Sequence, residues 1–522
     1  MSFRLTYATM FDPPAELHDR FEAALAEVEA GLGAEHRLFI AGRDVDGARL
    51  VEQRSPIDRD LVLGRFHHAG PAEVDRAVAA AAAAFPAWRA TPPARRVELM
   101  RKAASILADR VFHLAAALVL EVGKNRMEAL GEAQEAADFF TAYCDAFEAM
   151  ACGDHPLPDD PLPGWTSTNR SVARPYGVWA VIAPFNFPLA LAAGPAAAAL
   201  VTGNTVVAKG ASDTPWAVRL LAEALRDAGL PDGVFNHLCG GGAAAGDALA
   251  KHPAVAGLTF TGSHGVGMGI LRHFAQGDIP RPCILEMGGK NPVIVTRHAD
   301  LDRAALGLTR SAFGMGGQKC SALSRIYAEA AVADDLIDRL KARISALTIG
   351  DPRRRETYLG PVIHGRAQAD HAAYCEELRV GGATLLAGGE PLRDAAFAKG
   401  CFVAPTLAET PLGHRLWNHE MFLPLATLAR VRDRDEAMAL ANATPLGLTA
   451  GVYGSEDDVA WFHEHIEAGV TYANRPQGAT TGAWPGYQPF GGWKGSGSTG
   501  KGIASFYYLP LYLREQSRTV VR

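Results

Sequence analysis

From residue 176 to about residue 275 the chain alternates short apolar runs with helical stretches, and this alternation constrains the topology more than any other feature. Gly177–Ala183 (GVWAVIA), Thr205–Ala208, Val234–Leu238 and Gly257–Phe260 read as buried strands. Residues 187–202, Pro215–Gly229, Ala243–Lys251 and a stretch from about Val266 read as the intervening helices, the second ended by Gly229 and Pro231. A strand–helix–strand order demands parallel strands with right-handed crossovers, hence an α/β fold with a doubly wound sheet. Such sheets bind ligands at the carboxyl ends of their strands. A second α/β region starts near Pro292–Val295. It continues through helix 301–313, strand 325–329, helix 333–346 and strands near 383–386 and 425–431. Residues 71–151 carry apolar positions at helical spacing, and the Pro-rich run 156–164 (PLPDDPLPG) breaks that pattern. The apolar, β-prone stretch Tyr507–Val521 is too long for a free edge, and pairing with another subunit is the expectation. Residues 1–52 carry no clear reading.

A chain of 522 residues implies two or three domains. The net charge of −6, with no Lys/Arg cluster, gives no footing for nucleic acid. Met1–Leu17 has no apolar core of the kind a secretory signal needs. The longest weakly polar run, Leu189–Val201, is broken by Gly194 and Pro195 and falls short of the roughly 20 apolar residues of a membrane span. Seven cysteines without a CxxC pair argue against a disulfide framework or a zinc site and suit a reducing, cytoplasmic setting.

Four segments can carry chemistry. Cys320 lies in a Gly-rich turn (FGMGGQKCSALSR, 313–325) that can present a thiol beside backbone N–H groups, although most loop cysteines are inert. Glu286 stands beside two glycines in LEMGGKNP (285–292), where a solvated or paired carboxylate is the commoner outcome. Asn186 in FNFP (185–188) can cap the following helix or donate to an oxyanion. GSHGVG (262–267) lies between a strand and a helix, so Gly262, Ser263 and Gly267 can frame a phosphate at a helix N-terminus, without a GxGxxG fingerprint.

Taken in order, these segments resemble the aldehyde dehydrogenase superfamily from about residue 53 to 522. The matching motifs are PFNFP (184–188), GNTVVAK (203–209), FTGS (260–263), LEMGGKNP (285–292), GQKCSA (317–322), HEMFLP (419–424) and QPFGGWKGSG (488–497). The resemblance implies Cys320 as nucleophile, Glu286 as general base, and Asn186 with the Cys320 backbone N–H as oxyanion hole. It implies that Lys209 holds the adenosine ribose, Ser263 contacts the pyrophosphate, Glu420 holds the nicotinamide ribose and Phe422 packs beside the ring. Within the superfamily, GQKCSA and 474–492 are similar to the Δ1-pyrroline-5-carboxylate (L-glutamate γ-semialdehyde) dehydrogenases. That similarity implies an α-carboxylate held by Ser321, Gly482 and Ala483, with Phe187 and Phe490 around the aliphatic stem.

Some positions depart from the usual patterns. Gly210 follows Lys209 where Pro is common, HEMFLP replaces EEIFGP, and the segment between Arg475 and Gly482 is longer than expected. Ser212 stands where NAD-selective relatives often carry Glu, so NAD is expected and NADP tolerated. By resemblance, residues 1–156 and 176–288 form the cofactor domain and 289–490 the catalytic domain. Residues 157–175 and 491–522 form a small β element for homo-oligomerisation. The alternatives are an enzyme for another semialdehyde or an aromatic aldehyde, and a non-catalytic protein that keeps the fold.

Overall fold

The computed structural model describes Leu5 and residues 13–479 and 484–522. Two seven-stranded sheets dominate it. In the first, Val178–Ile182 lies near the centre, flanked by Thr205–Lys209 and Phe235–Leu238 on one side and by Val255–Gly262 and Cys283–Met287 on the other. These five strands are parallel. Every residue of Val178–Ile182 is buried, which is why it reads as an unbroken apolar run rather than an alternating one. The order of strands reverses between Val178–Ile182 and Val255–Gly262, and this is the crevice where the doubly wound topology opens a binding site.

The N-terminal region, opaque in the sequence, supplies several elements. A helix spans Ala15–Ala30 with Leu17, Phe21, Leu25 and Val28 buried. Leu38–Ile40 and Arg43–Val45 then extend the first sheet antiparallel beyond Phe235–Leu238. The second sheet runs Thr384–Ala387, Thr406–Glu409, Leu425–Val431, Leu323–Glu329, Asn291–Val295, Thr449–Tyr453 and Val470–Ala473, all parallel except the antiparallel edge Thr384–Ala387.

Several boundaries move from expectation. The helix after PFNFP starts at Ala190, because Leu189 and Ala190 find their N–H acceptor in a side chain rather than in the preceding backbone. The expected helix from Ala243 opens as a π-type turn over Gly242–Gly246 and becomes α-helical only at Asp247–Lys251. The C-terminal stretch pairs within the chain: Leu513–Val521 runs antiparallel to Ser167–Pro175 in unbroken register, from Leu513 opposite Pro175 to Val521 opposite Ser167. Tyr508, Leu509 and Tyr512 form a buried 3-10 turn before the strand begins. The small sheet also takes in Asp154–Leu157, which includes the first two residues of the Pro-rich run. Among the described residues no single helix is long and apolar enough to cross a membrane. One pair, Pro93–Asp109 and Val111–Val122, meets the length and composition only jointly and is bent by 67°.

Two buried carboxylates organise the helices behind the first sheet. Glu132, on the helix Arg126–Ala149, accepts from the N–H groups of Leu189 and Ala190 at 2.8 and 3.2 Å and pairs with the fully buried ammonium of Lys124. Glu121, on Val111–Val122, accepts from Trp216 and Ala217 N–H at 2.6 and 3.1 Å. Both thus satisfy orphan donors at helix N-termini, where the helix dipole favours negative charge. Burial nonetheless dominates at Glu121 and pushes its carboxyl up to about 8, against the two N–H bonds that lower it. A carboxyl raised on folding binds more protons folded than unfolded, so its contribution is present at low pH and is lost as pH rises from about 4.5 to about 8. Thermal midpoints measured across that window should fall less steeply with pH for Glu121→Gln than for the parent.

Candidate active site

The loop bearing Cys320 is set by backbone conformations that few residues tolerate. After the helix Leu301–Phe313 the chain turns through Met315, Gly316 and Gly317, all with positive φ (52°, 64° and 65°). A side chain on Gly317 would strike the carbonyl of Leu423, so glycine is required by space as well as by φ. Two amides then fasten the loop. Asn291 donates from Nδ2 to the carbonyls of Cys320 (2.7 Å) and Ala322 (2.8 Å), and its Oδ1 accepts from Thr449 N–H (3.0 Å). Asn186, which is buried, donates from Nδ2 to the carbonyl of Gln318 (2.9 Å). An amide nitrogen carries two hydrogens, so this bond leaves Asn186 a second donor. Gly289 makes room for the arrangement, because a Cβ there would lie 2.7 Å from the Cys320 carbonyl.

Glu286 sits near the carboxyl end of Cys283–Met287 with one carboxyl oxygen, Oε2, buried and without a hydrogen-bond partner. Burial holds its carboxyl well above the usual range, opposed by the backbone N–H of Gly492. Burial also pushes the Cys320 thiol up to about 12, and the negative charges of Glu420 and Glu286 add to the rise. The backbone N–H groups of Ser321 and of Cys320 itself bond the sulfur and pull the other way. At neutral pH the resting site is therefore a protonated thiol beside an electrically coupled carboxyl, with two backbone donors aimed at the reacting atom.

Cys320 opens into a cavity of about 420 Å³, whose wall also includes Ser321, Phe187, Phe490, Glu128 and Lys319. Asn186 and Glu286 are not part of that wall, so of the three catalytic candidates only Cys320 faces the cavity. Phe187 lies under the Lys124 ammonium, 3.6 Å from its ring centroid, so the buried Lys124–Glu132 pair also fixes this ring. Lys319 pairs with Glu128 Oε1 at 3.0 Å, while Glu128 Oε2 is buried and unpartnered. Gly482 and Ala483 lie outside the described residues; Gln477, Gly478, Ala479 and Trp484 on either side of them line the cavity.

The expected cofactor residues lie along the carboxyl edge of the first sheet and beside the nucleophile loop. Ser263 is the N-cap of His264–Ala275, is exposed, and its side chain makes no capping bond. Gly262 and Gly267 give the helix its close approach: a Cβ on Gly267 would lie 2.6 Å from the Met287 sulfur, and one on Gly262 2.5 Å from the Phe260 ring. Lys209 ends Thr205–Lys209, is buried, and donates to the Gly210 carbonyl at 2.8 Å, with Ser212 half-buried nearby. Glu420 accepts from Gly289 N–H at 2.9 Å, and a side chain on Gly288 would collide with its carboxylate. Phe422 adopts φ 55° and meets Phe185 edge-on at 5.7 Å. The two-glycine step of LEMGGKNP thus admits both Glu420 and the Cys320 carbonyl.

Residues 43–515 match the model of the aldehyde dehydrogenase family. The chain belongs to that family. Among its relatives, the 1-pyrroline-5-carboxylate dehydrogenase of Geobacillus thermodenitrificans (strain NG80-2) is 38% identical over 506 residues, 96% of this chain and 95% of that one. The Bacillus subtilis (strain 168) protein of the same name is 36% identical over 505 residues, again covering 96% and 95%. A crystal structure of 1-pyrroline-5-carboxylate dehydrogenase from Thermus with bound NAD superposes with a TM-score of 0.92 at 34% identity, covering 100% of this chain and 99% of that chain.

The structure of this aldehyde dehydrogenase adds residues that motif reading passes over. Asn291 lies inside LEMGGKNP, yet its holding of both carbonyls around the nucleophile is visible only in space. Glu128, Gly131, Glu132 and Glu135 line the cavity from one ridge of Arg126–Ala149, at spacings of three and four. Acidic residues at that spacing look like a solvated helix face, and only their burial marks them as site residues. Asn291→Ala should lower kcat by about 100-fold through misplacement of the nucleophile while circular dichroism stays native. Steady-state kinetics on any accepted aldehyde checks this.

Proposed function

We propose that this chain oxidises L-glutamate γ-semialdehyde, formed from Δ1-pyrroline-5-carboxylate, to L-glutamate in proline catabolism, with NAD as oxidant. The observation that carries this reading is one cavity that holds Cys320, Ser321, the rings of Phe187 and Phe490 and a buried carboxylate oxygen of Glu128 with no partner. Phe187 and Phe490 suit an aliphatic stem, and Ser321 suits an α-carboxylate, to which the family resemblance adds Gly482 and Ala483. The free oxygen of Glu128 suits an α-ammonium group. Relatives with the matching name support the substrate.

In this reading Cys320 Sγ hands its proton to the general base Glu286, which releases it to solvent, and the sulfur adds to the aldehyde carbon, giving a thiohemiacetal. The developing oxyanion is assigned to the second N–H of Asn186 and the Cys320 backbone N–H. NAD, when bound, supplies the hydride acceptor that leaves Cys320 as a thioester. Glu286 then takes a proton from water through Oε2, and the water oxygen attacks the thioester, releasing glutamate and the thiol. Burial raises this carboxyl and so makes its carboxylate a stronger base toward water. The residues fit the cofactor: Ser263 has no competing capping bond, the helix N-terminus offers N–H groups to a pyrophosphate, and Lys209 and Glu420 can hold the two riboses. Ser212 neither binds ribose hydroxyls as a carboxylate does nor repels a 2′-phosphate, so NADP is tolerated.

The domain assignment belongs to the same proposal, with a cofactor domain over 1–156 and 176–288, a catalytic domain over 289–490 and an oligomerisation element over 157–175 and 491–522. The outer edge of Leu513–Val521 is left for a homo-oligomer, and the cytoplasm is the setting. The test is kcat/KM for glutamate semialdehyde against succinate semialdehyde and benzaldehyde. At least a 100-fold preference for the first is expected, and equal values for all three would overturn the substrate. Stopped-flow traces of Glu286→Gln should keep the amplitude of the first burst of reduced cofactor and slow the steady state by about 10²-fold or more. Loss of the burst would remove Glu286 from the hydrolytic step.

A further inference from the structure

The helix Ala15–Ala30 precedes residue 43, where the family match begins, yet it reaches the wall of the cavity that holds Cys320. Two segments of that wall matter here: 125–128, at the start of Arg126–Ala149, and 355–358. Arg355 and Glu356 are exposed and Thr357 is buried, so the second segment runs from the mouth inward. Glu22 bridges the two. Its Oε1 accepts from Arg126 Nη1 at 3.1 Å and from Arg355 Nε at 2.7 Å, and its Oε2 accepts from Arg355 Nη2 at 2.9 Å. Asp19 accepts a further Arg355 bond at 2.8 Å. The Arg126 side chain is only 3% exposed, lies over the buried Phe21 ring at 4.7 Å, and donates from Nη2 to the Arg353 carbonyl. At the inner end, Asn125 donates from Nδ2 to the Tyr358 carbonyl at 2.9 Å and keeps the segments joined there, so Glu22 governs the outer end.

We infer that Glu22 is a specificity-determining positioning residue: by tying Arg126 to Arg355 it fixes the width of the cavity mouth. This goes beyond the semialdehyde reading, because the mouth has one width whichever aldehyde is the natural substrate. A carboxylate held in the fork of one guanidinium and shared with a second sets both distance and angle, which a lone surface pair does not. Glu22 and Asp19 cancel the charges of Arg126 and Arg355, so the network acts on shape and not by drawing in charged aldehydes. Glu22 is the one carboxylate paired with Arg126 among the described residues. Without that charge a nearly dry guanidinium is left uncompensated and cannot stay where it is without cost. Its departure parts the two segments, and the mouth admits a broader aldehyde. Cys320, Asn186 and Asn291 are held by other contacts and keep their places.

The experiment measures kcat/KM for benzaldehyde against propanal in the full-length enzyme with NAD. Glu22→Gln keeps the length of the side chain and removes its charge. Arg355→Gln breaks the same bridge from the other side. Each should raise the benzaldehyde-to-propanal ratio about tenfold, the usual scale for a charge-assisted bond, with kcat for propanal within about twofold. The double variant should match the single ones, since both cut one bridge. Glu22→Asp keeps the charge, and the half-exposed Arg355 can follow it, so its ratio should stay within about threefold of the parent. A ratio that stays put in Glu22→Gln with native circular dichroism would overturn the inference. So would equal losses on both aldehydes, because a contact that only stabilises the fold does not change which aldehyde is preferred. A double variant in which the two effects multiply would overturn it as well. If Glu22→Gln fails to fold, Arg355→Gln, in a different element, carries the same test.

Discussion

The buried pair of Lys124 and Glu132 is the contact on which the site depends. Both side chains are fully excluded from solvent. Taking two charges out of water costs several kcal/mol per ion, and removing one partner typically costs about 3–5 kcal/mol. The pair is tolerated because each charge has further work. Glu132 satisfies the N–H groups that open the Ala190–Val201 helix, and Lys124 lies over Phe187. Those two contacts fix the PFNFP turn, and the turn fixes Asn186 against the backbone two residues before Cys320. A salt bridge behind the first sheet therefore sets the position of an amide beside the nucleophile.

The two sheets meet through backbone rather than through side chains alone. Met287 N–H donates to the Ser496 carbonyl, and Ser496 Oγ donates to the Gly288 carbonyl, so the end of Cys283–Met287 is laced to the QPFGGWKGSG segment. Arg325, buried in the second sheet, donates from Nε to the Lys290 carbonyl at 2.7 Å. Its Nη groups reach the carbonyls of Leu440 and Ala441 at the end of the helix Arg434–Asn442. A guanidinium suits this place because it is a planar fork of five donors facing carbonyls at a negative helix end. Glu286 and Cys320 thus lie on either side of a junction that is braced from both sheets.

What the sequence discloses and what it hides divide along physical lines. Strands buried on both faces, such as Val178–Ile182, announce themselves as apolar runs, and the glycines of LEMGGKNP and FGMGGQKC mark places where backbones nearly touch. The motifs place Cys320, Glu286 and Asn186, whose local sequence is dictated by steric need. Leu38–Ile40 and Arg43–Val45 are three residues each, too short for any periodicity, and exist because the first sheet offers them an edge. The helix Ala15–Ala30 buries Leu17, Phe21, Leu25 and Val28, a stripe that the reading of residues 1–52 passes over. Glu121, Glu128 and Glu132 are illegible for a different reason: a carboxylate in a helix is ordinarily a solvated group. Only the assembled structure brings the helix N-termini and the lysines that make burial affordable.

The small sheet has a consequence for how the polypeptide is made. Ser167–Pro175 finds its partner in Leu513–Val521, more than three hundred residues downstream. While the ribosome is still working through the second sheet, Ser167–Pro175 has only the four-residue strand Asp154–Leu157 beside it, and an unpaired strand edge invites other chains. Both seven-stranded layers can be complete before this ribbon is closed. Closing it must wait until Leu513–Val521 has been made.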